Sequence, residues 1–400
     1  MLTLDKIYNA AFTLKNVVRT TDMLSSRGIK PDAHIYLKTE NLQTTGSFKV
    51  RGAYYKISQL NDEQKKAGVI ACSAGNHAQG VALSATRNGI KSVVCMPDGA
   101  PISKVEATKG YGAEVVLVPG VYDDAYNKAV ELQKEFGYTF VHPFDDEDVI
   151  AGQGTIGLEI LNQIENIDAI VVPIGGGGLI SGIAFAVKNL KPDIKIYGVQ
   201  AENAPSMKKS LEKKEQITLD AVATFADGIA VKHPGNLTFD IVKKYVDDVV
   251  TVTEDEIAMA ILTLMERQKL VAEGAGATSV AAVLSDKLPI KNKNVVCVLS
   301  GGNIDVNILS RVLTRGLVAS GRNCNLQIAL EDKPGQLVNV STIISKCGGN
   351  IINVRYERSD INMPISSCYL TLGLETKNFE HIEEIKKALT NEGIKIVEGM

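Results

Sequence analysis

A lysine beside a polar turn is the first residue in this sequence whose setting could alter its chemistry. Lys49 follows Phe48 in the segment TTGSFKVRGA, residues 44–53, and opens an expected helix. A lysine that is partly removed from water has a lowered pKa and can form a Schiff base with an aldehyde. The alternative is an ordinary solvated lysine. Lys49 is therefore a candidate nucleophile, provided that other segments can hold an aldehyde beside it.

Four consecutive glycines form a second chemical candidate. Gly175, Gly176, Gly177 and Gly178 follow the apolar run AIVVPI and precede the helix-like run LISGIAFAVKNL. Glycine N–H groups can approach an anion closely, and a helix N-terminus adds a favourable dipole. A flexible turn is the alternative, but four glycines lose more backbone entropy than a turn requires. We therefore expect a phosphate-binding loop here.

Two further polar segments follow apolar runs, at the strand ends where open parallel sheets bind ligands. In CSAGNHAQG, residues 72–80, the turn amides suit a carboxylate and Asn76 can hydrogen-bond a ring hydroxyl. We interpret His77 as a helix-start residue with local hydrogen bonds, because nothing pairs with it as base and orienter. In LSGGN, residues 299–303, Ser300 either hydrogen-bonds a heteroaromatic nitrogen or caps a helix.

The segment GQGTIG, residues 152–157, matches the glycine pattern of dinucleotide-binding loops. Such a loop needs a strand just before it and an acidic strand end about 20 residues later. The preceding residues FDDEDVIA are acidic and not strand-like, and the four glycines lie downstream instead. We interpret the match as accidental, which argues against a hydride-transferring enzyme.

These segments lie on an alternation of short β-branched runs and helical stretches. The expected strands are residues 69–72, 92–96, 114–118, 169–174, 194–200 and 295–300. The expected helices between them include residues 122–136, 148–164 and 254–270. Strands that are apolar throughout indicate a parallel sheet buried on both faces. The fold class is therefore α/β with doubly wound sheets.

The pattern changes near residue 320, where GLVASGRN is a plausible linker. The next 75 or so residues predict a βαββαβ order, which is a ferredoxin-like unit. We therefore expect a catalytic domain over residues 1–320 and a small domain over residues 321–400.

Composition restricts the class of protein. The chain has 400 residues, of which 45% are hydrophobic, and a net charge of -3 without a basic block, so nucleic acid is not an expected partner. No apolar run reaches the ~20 residues that span a bilayer, and the N-terminus lacks an apolar signal core. The six cysteines lack CxxC spacing and mostly lie in apolar runs. We expect a cytoplasmic protein, bound to no membrane, without disulfides.

Six motifs occur in one order: SFKVRGA, SAGNHAQG, GQGTIGLEI, PIGGGGLISG, ADGIAVK and LSGGN. Over residues 5–320 the chain resembles the fold-type II pyridoxal-phosphate enzymes, and most closely the threonine dehydratases. The resemblance implies two open twisted sheets, as in the tryptophan synthase β fold, with a small subdomain at residues 50–150. It implies a threonine ammonia-lyase that forms 2-oxobutanoate and ammonia from L-threonine, and also pyruvate from L-serine.

The resemblance also implies a role for each motif residue. Lys49 holds pyridoxal 5'-phosphate as a Schiff base and, once the substrate displaces it, takes the Cα proton. Phe48 packs against the ring, Asn76 contacts the ring hydroxyl and Ser300 meets the pyridine nitrogen. Backbone N–H groups bind the phosphate, at Gly175, Gly176, Gly177, Gly178 and Leu179. The loop that holds the substrate carboxylate consists of Ser73, Ala74, Gly75, Asn76 and His77.

Departures from related families narrow the expected reaction. Serine racemases carry a second serine where this chain has Ala74, so racemisation lacks its opposite-face acid and base. Their divalent-cation ligands correspond here to AENAPSMKKS, in which Ser206 and Lys208 replace ligand positions, and we expect no metal site. Cysteine synthases are the alternative of the same fold, and a non-catalytic amino-acid sensor is the alternative of another class. Intact Lys49 argues against the sensor. No acidic side chain is evident in the motifs, so the cofactor phosphate is expected to protonate the leaving hydroxide.

The C-terminal segment LQIALEDKPGQLVNVSTIISKCGGNIINVRYER resembles an ACT domain. The resemblance implies an effector site that involves Gly335 in the DKPGQL turn and Asn353 in the next strand. A branched-chain amino acid is the first candidate effector, a nucleotide is another, and a purely structural pairing module is the alternative. ACT units usually pair, so a homodimer or homotetramer is expected.

Overall fold

The computed structural model describes residues 1–26, 28–358 and 364–397. The chain divides into two compact units, Met1–Leu309 and Ser310–Met400. The division falls within the helix Val306–Ala319, whose end is the boundary that the sequence predicts near residue 320. Among the described residues, no helix combines the length and the apolar character needed to cross a membrane.

The first unit contains ten strands and twelve α-helices within its described residues. Its strands are β1 (Met23–Ser25), β2 (His34–Lys38), β3 (Val69–Cys72), β4 (Ser92–Pro97), β5 (Glu114–Val118), β6 (Thr139–Phe140), β7 (Ala169–Pro173), β8 (Lys195–Ala201), β9 (Asp248–Val252) and β10 (Asn294–Val298). Its helices are α1 (Leu4–Leu14), α2 (Lys49–Ser58), α3 (Asp62–Ala67), α4 (Asn76–Arg87), α5 (Ile102–Gly110), α6 (Tyr122–Phe136), α7 (Glu147–Gln163), α8 (Gly178–Leu190), α9 (Ser206–Lys213), α10 (Asn236–Tyr245), α11 (Glu254–Thr263) and α12 (Gly274–Leu284). Short 3-10 turns occur at Glu40–Leu42 and Asp227–Ile229, and a π-helical turn at Leu264–Gln268.

Two twisted sheets organise this unit. The larger has six strands in the order β1-β2-β10-β7-β8-β9, all parallel except the antiparallel β1–β2 pair. The smaller has four parallel strands in the order β5-β4-β3-β6. Both β3 and β7 are buried along their whole length, as strands with a helical layer on each face require. The predicted α/β class is confirmed, and the small sheet lies within the predicted subdomain at residues 50–150.

The segment GQGTIG lies in the middle of α7 and not in a ligand-binding loop. Its glycines allow close packing between helices. A Cβ on Gly152 would meet the Arg51 carbonyl oxygen at 2.6 Å, and one on Gly154 would lie 3.1 Å from the Gly182 carbonyl oxygen. The interpretation of this motif as an accidental match is confirmed, and its glycines are needed where α7 crosses α2 and α8.

Gly182→Ala is expected to destabilise the first unit by about 1–3 kcal/mol, because the added methyl group overpacks this crossing. A Cβ on Gly182 would lie 2.4 Å from the Ile150 carbonyl oxygen and 2.5 Å from the Gly154 nitrogen. Urea unfolding followed by circular dichroism measures the change. Gly110→Ala is the matched control, since a Cβ there meets nothing within 4 Å. Equal effects of the two substitutions would contradict the packing argument.

After α13 (Val306–Ala319), the second unit follows the predicted βαββαβ order. Its elements are β11 (Asn323–Glu331), α14 (Gln336–Lys346), β12 (Asn350–Glu357), β13 (Ser367–Glu375), α15 (Phe379–Asn391) and β14 (Lys395–Val397). The four strands form an antiparallel sheet in the order β12-β13-β11-β14. Alternate residues of β11 and β13, such as Ile328 and Leu370, are buried with Ile344 and Ile385 of the two helices. The helices therefore cover one face of this sheet.

Candidate active site

Lys49 is the first residue of α2, and its side chain is withdrawn from water. The Nζ donates a hydrogen bond to the Pro143 carbonyl oxygen at 2.8 Å and lies 5.3 Å from the centre of the Phe48 ring. Burial lowers the pKa of Lys49 to about 8, although the Glu273 carboxylate acts in the opposite direction. A much larger fraction of this amine is therefore neutral near pH 7 than of an ordinary lysine.

The loop before α2 is tied to the end of β10. The Phe48 amide donates to the Ser300 carbonyl oxygen at 3.1 Å, and Ser47 forms a β-bridge with Gly301. Ser300 is 3% exposed, and its hydroxyl makes no hydrogen bond within the described part of the chain. A hydroxyl without a protein partner is available to a ligand that carries an acceptor or donor atom.

The four glycines form the turn from β7 into α8. Gly177 has a φ of +101° and is the N-cap residue of α8, and no side chain caps the first turn of this helix. The Thr238 hydroxyl donates to the Gly176 carbonyl oxygen at 2.6 Å and fixes the loop. The amides of a helix's first turn have no partner inside the helix. These donors at a helix N-terminus, including Gly178 and Leu179, are suited to a phosphate group.

Residues 73–77 join β3 to α4. The Ser73 amide donates to the Cys95 carbonyl oxygen at 3.2 Å, and the Gly75 amide donates to the Ser73 hydroxyl at 3.2 Å. Gly75 is the N-cap residue of α4 and provides no side-chain cap, and Asn76 is the first helical residue. This loop therefore presents a second helix N-terminus, next to the Ala74 methyl group, to which a carboxylate could bind.

The His77 side chain is engaged in the protein interior. Its Nε2 lies 2.8 Å from the Val141 carbonyl oxygen, an acceptor that requires a proton on this nitrogen. Burial lowers the pKa of His77 to about 3, and the positive charge of Lys49 adds to the shift. The imidazole is therefore neutral at physiological pH and has a structural role, while the backbone of the loop faces the candidate ligand site.

Two residues that the sequence did not single out connect Lys49 with the glycine loop. Pro143 accepts the hydrogen bond from Lys49, and the adjacent Phe144 packs so closely that a Cβ on Gly176 would lie 2.4 Å from its ring. The lysine and the phosphate-type loop are therefore neighbours through this two-residue link. The run HPF after a short strand is the only sequence signal for it.

A buried carboxylate was also missed. Glu273 precedes the first residue of α12 in the segment VAEGAGAT and is 4% exposed. Its Oε1 accepts a hydrogen bond from Asn76 at 2.7 Å. Burial raises the pKa of Glu273 to about 7, and Asp227 raises it further, against the opposing effect of Lys104. A carboxylate therefore lies at the site, although the sequence motifs themselves contain none there.

Taken together, the described residues fit pyridoxal phosphate. A partly neutral lysine can attach an aldehyde, the uncapped glycine turn can bind the phosphate, and Asn76 and the unengaged Ser300 hydroxyl can meet the ring's polar atoms. Phe48 places an aromatic ring beside the lysine.

Comparison with known proteins leads to the same cofactor. The family model described as pyridoxal-phosphate dependent enzyme matches residues 14–301. An L-threonine ammonia-lyase of Thermotoga maritima is 50% identical over 99% of this chain and 99% of its own length. The processed threonine deaminase isoform 2 of Solanum lycopersicum has a TM-score of 0.74 at 36% identity, over 78% of this chain and 93% of that one. Maize serine racemase has a TM-score of 0.75 at 35% identity, over 80% and 98%. This chain belongs to the family of pyridoxal-phosphate dependent enzymes.

Proposed function

We propose that this protein is a threonine ammonia-lyase, which converts L-threonine to 2-oxobutanoate and ammonia and L-serine to pyruvate. The observation that carries the proposal is Lys49, a partly desolvated amine. It donates to Pro143, whose neighbour Phe144 packs on the glycine loop, and its charge acts on His77 of the loop that suits a carboxylate. Relatives named for this activity match the chain over nearly its whole length, which supports the choice of reaction.

Each group at the site has a proposed part in holding the cofactor. Lys49 attaches the aldehyde and Phe48 packs against the ring. The phosphate is bound by backbone N–H groups of Gly175, Gly176, Gly177, Gly178 and Leu179. Asn76 donates to the ring oxygen and Ser300 hydrogen-bonds the pyridine nitrogen. Because a serine does not stabilise a protonated ring nitrogen as a carboxylate would, prompt loss of a β-substituent is favoured over transamination.

Lys49 of this chain would take the proton that leaves Cα, and the phosphate that the glycine loop would hold would supply the proton that the leaving hydroxide needs. Bound pyridoxal phosphate supplies an electron sink for the electron pair released at the substrate Cα. The free Lys49 amine takes the Cα proton, and amides of residues 73–77 hold the carboxylate so that the Cα–H bond faces this amine. The methyl group of Ala74 offers no hydroxyl to return a proton from the opposite face. This absence favours elimination over the racemisation named for some structural neighbours.

The direct test is release of 2-oxo acids from L-threonine and L-serine by the purified protein, with the visible absorption of bound pyridoxal phosphate followed in the same cuvette. We expect 2-oxobutanoate from threonine, with serine as a slower substrate, because one methyl group is worth only ~1–3 kcal/mol of discrimination. Cofactor absorption without 2-oxo acid release would refute the proposed reaction, and a β-replacement assay with sulfide would then test the cysteine synthase alternative.

Protein stripped of its cofactor is expected to capture pyridoxal phosphate at a rate that rises with pH and is half-maximal near pH 8. The reason is that only the neutral amine attacks an aldehyde, and burial lowers the pKa of Lys49 to about 8. Stopped-flow absorbance measures this rate, with N-acetyl-lysine amide as the control amine of ordinary pKa. If the rates for the protein and for the control amine are half-maximal at the same pH, the buried setting of Lys49 is contradicted.

For the second unit we propose binding of a small effector, with isoleucine and valine as first candidates and a nucleotide as another. Gly335, with a φ of +91°, is the N-cap residue of α14 and provides no side-chain cap, and Asn353 lies on the edge strand β12 after a bulge. No hydrogen bond joins these two residues within the described part of the chain. If titration calorimetry shows no binding of these amino acids or of a nucleoside monophosphate, and activity ignores them, the proposal fails.

We also propose a homo-oligomer, either a dimer or a tetramer. The edge strand β12 exposes three large apolar side chains, Ile352, Val354 and Tyr356. An exposed apolar edge strand is suited to pair with a second chain. Light scattering after gel filtration measures the assembly, and a monomer at micromolar concentration would contradict this proposal.

A reducing, cytoplasmic location is proposed on the ground that all six cysteines are free.

A further inference from the structure

The amide of Asn76 belongs to a hydrogen-bonded chain that ends on an acceptor at each side. Asn303 Nδ2 donates to the Thr45 carbonyl oxygen at 2.7 Å and to Asn76 Oδ1 at 2.8 Å. Asn76 Nδ2 in turn donates to Glu273 Oε1 at 2.7 Å. A backbone carbonyl oxygen and an ionised carboxylate have no proton to donate, so each can only accept a hydrogen bond. The orientation of both amide groups therefore follows from their partners.

This chain of hydrogen bonds leaves one N–H group of Asn76 without an acceptor among the described residues. The Asn76 amide nitrogen carries two hydrogens, and Glu273 is the one acceptor that it meets among the described residues. If Asn76 were flipped, its oxygen would face the Glu273 carboxylate, and its nitrogen would face the Asn303 nitrogen. The carboxylate therefore holds Asn76 so that an N–H group, and not a carbonyl oxygen, is available to a ligand.

We propose that Glu273 is a positioning residue, which acts through Asn76 to direct an N–H donor at the ring oxygen of pyridoxal phosphate. This inference rests on the proposed function, since it assumes that the ring lies beside Asn76. A ring oxygen that carries negative charge needs a donor there, and an inverted Asn76 would present a second acceptor. Glu273 thus determines that Asn76 presents a donor to the ring oxygen, although Glu273 does not contact the ring itself.

The residues packed around Glu273 support its role in positioning Asn76. A Cβ on Gly301 would lie 2.3 Å from Glu273 Oε1 and 3.2 Å from Asn76 Nδ2, so only glycine leaves the link intact. The Glu273 amide also donates to the Gly301 carbonyl oxygen at 3.0 Å. The Glu273 backbone is thereby tied to the loop that carries Ser300, and a backbone hydrogen bond from Asn303 of the same loop stabilises the charged carboxylate.

The charge of Glu273 also responds to pH in the neutral range. The charged groups around it are Asp227 of the 3-10 turn, Lys104 of α5 and Lys49 of α2, and Lys104 and Asp227 form an ion pair at 2.5 Å. Since burial raises its pKa to about 7, the carboxylate gains charge as pH rises from 6 to 8. A charged acceptor polarises the Asn76 amide more strongly, which strengthens its second N–H as a donor.

Glu273→Ala and Glu273→Gln separate positioning from bulk structure. The glutamine oxygen can still accept from Asn76 but cannot ionise, whereas alanine removes the acceptor and leaves the Asn303 hydrogen bond as the remaining restraint on Asn76 in the described chain. We expect pyridoxal phosphate to bind about 10-fold more weakly to Glu273→Ala, and within about threefold of wild type to Glu273→Gln. We also expect the visible absorption of the bound cofactor to change with pH across the neutral range in wild type but not in Glu273→Gln.

Fluorescence titration of cofactor-free protein with pyridoxal phosphate measures the affinities, and Glu114→Gln, with a side chain 57% exposed on β5, is the matched control. Wild-type affinity and an unchanged spectral pH dependence in both Glu273 variants would overturn the inference and leave the proposed function standing. Absence of pyridoxal phosphate binding by wild type would overturn both, because no ring oxygen would then lie beside Asn76. Binding lost equally in the alanine and glutamine variants would identify Glu273 as a ligand or a purely structural group, which also contradicts the inference.

Discussion

Lys49→Ala is expected to lower threonine turnover roughly ten-thousand-fold. The substitution removes two functions at once, the covalent attachment of the cofactor and the base that takes the Cα proton. The Lys49 amine has a single hydrogen bond in the described chain, to the Pro143 carbonyl oxygen. Its loss therefore removes little native structure, and the cofactor site is expected to stay folded.

Three measurements check this prediction. Release of 2-oxobutanoate gives the activity, and absorption at pH 7 gives the cofactor's state. Borohydride reduction followed by peptide mass spectrometry locates the attachment, which we expect on the peptide containing Lys49 in wild type and on no peptide in the variant. Lys91→Ala is the matched control, since Lys91 is 57% exposed and paired with Glu114. More than one hundredth of wild-type activity in Lys49→Ala would refute the assignment.

The apolar pattern of the sequence located most of the elements that carry the site. The runs at residues 69–72 and 114–118 are strands at these bounds, and the helix predicted at residues 122–136 is α6. The strand at 69–72 is predictable because burial on both faces leaves only apolar residues. The strand at 114–118 is exposed or half-buried, and its β-branched valines indicate it instead. Glycine-rich strand ends then mark the loops in which an anion could be bound.

Other elements gave no comparable signal. The strand β2 reads HIYLK, and its last residue Lys38 is a buried charge, which a hydrophobic pattern does not predict. The helix predicted at residues 254–270 ends at Thr263, where a π-helical turn follows and Lys269 adopts a φ of +58°. No glycine or proline marks this change, because tertiary packing and not local propensity decides it.

Prediction from local sequence was also limited at the candidate site. Lys49 and the four glycines were found because their neighbours in sequence give them a local meaning. Glu273 was not found, because its importance comes from a hydrogen bond to a residue 197 positions away. A glutamate before a glycine- and alanine-rich helix reads as an ordinary helix start. Only the fold shows that its carboxylate is buried next to Asn76.

Arg51→Ala is expected to destabilise the first unit by about 3–5 kcal/mol. Arg51 is fully buried two residues after Lys49, and its guanidinium donates to Glu40 at 2.8 Å and to Glu159 at 2.6 Å. Lys38 also donates to Glu159 at 2.6 Å, so two cations and two carboxylates balance in one network. Removal of the arginine leaves Glu40, which is fully buried, without a directly paired cation, because Lys38 pairs with Glu159.

The pH dependence of this loss has a definite sign. Burial opposes ionisation of Glu40, but Arg51 and Lys38 hold its pKa below the ordinary value. A carboxylate whose pKa is depressed by folding contributes stability above its unfolded pKa and loses it as the pH falls. The difference between wild type and Arg51→Ala is therefore expected to be full at pH 7 and to shrink below about pH 4.5.

Urea unfolding at pH 7 and pH 4 measures both effects, and a double variant separates charge from packing. Arg51→Met with Glu40→Gln removes one cation and one anion and leaves the Lys38–Glu159 pair, so it is expected to be more stable than Arg51→Ala. Arg87→Ala, at an exposed position, is the control and is expected to cost under about 1 kcal/mol. Because methionine keeps most of the volume of arginine, a double variant no more stable than Arg51→Ala at pH 7 would contradict both the charge argument and a packing argument. The hydrogen bonds that Arg51 donates to Glu40 and Glu159 would then account for the network's contribution.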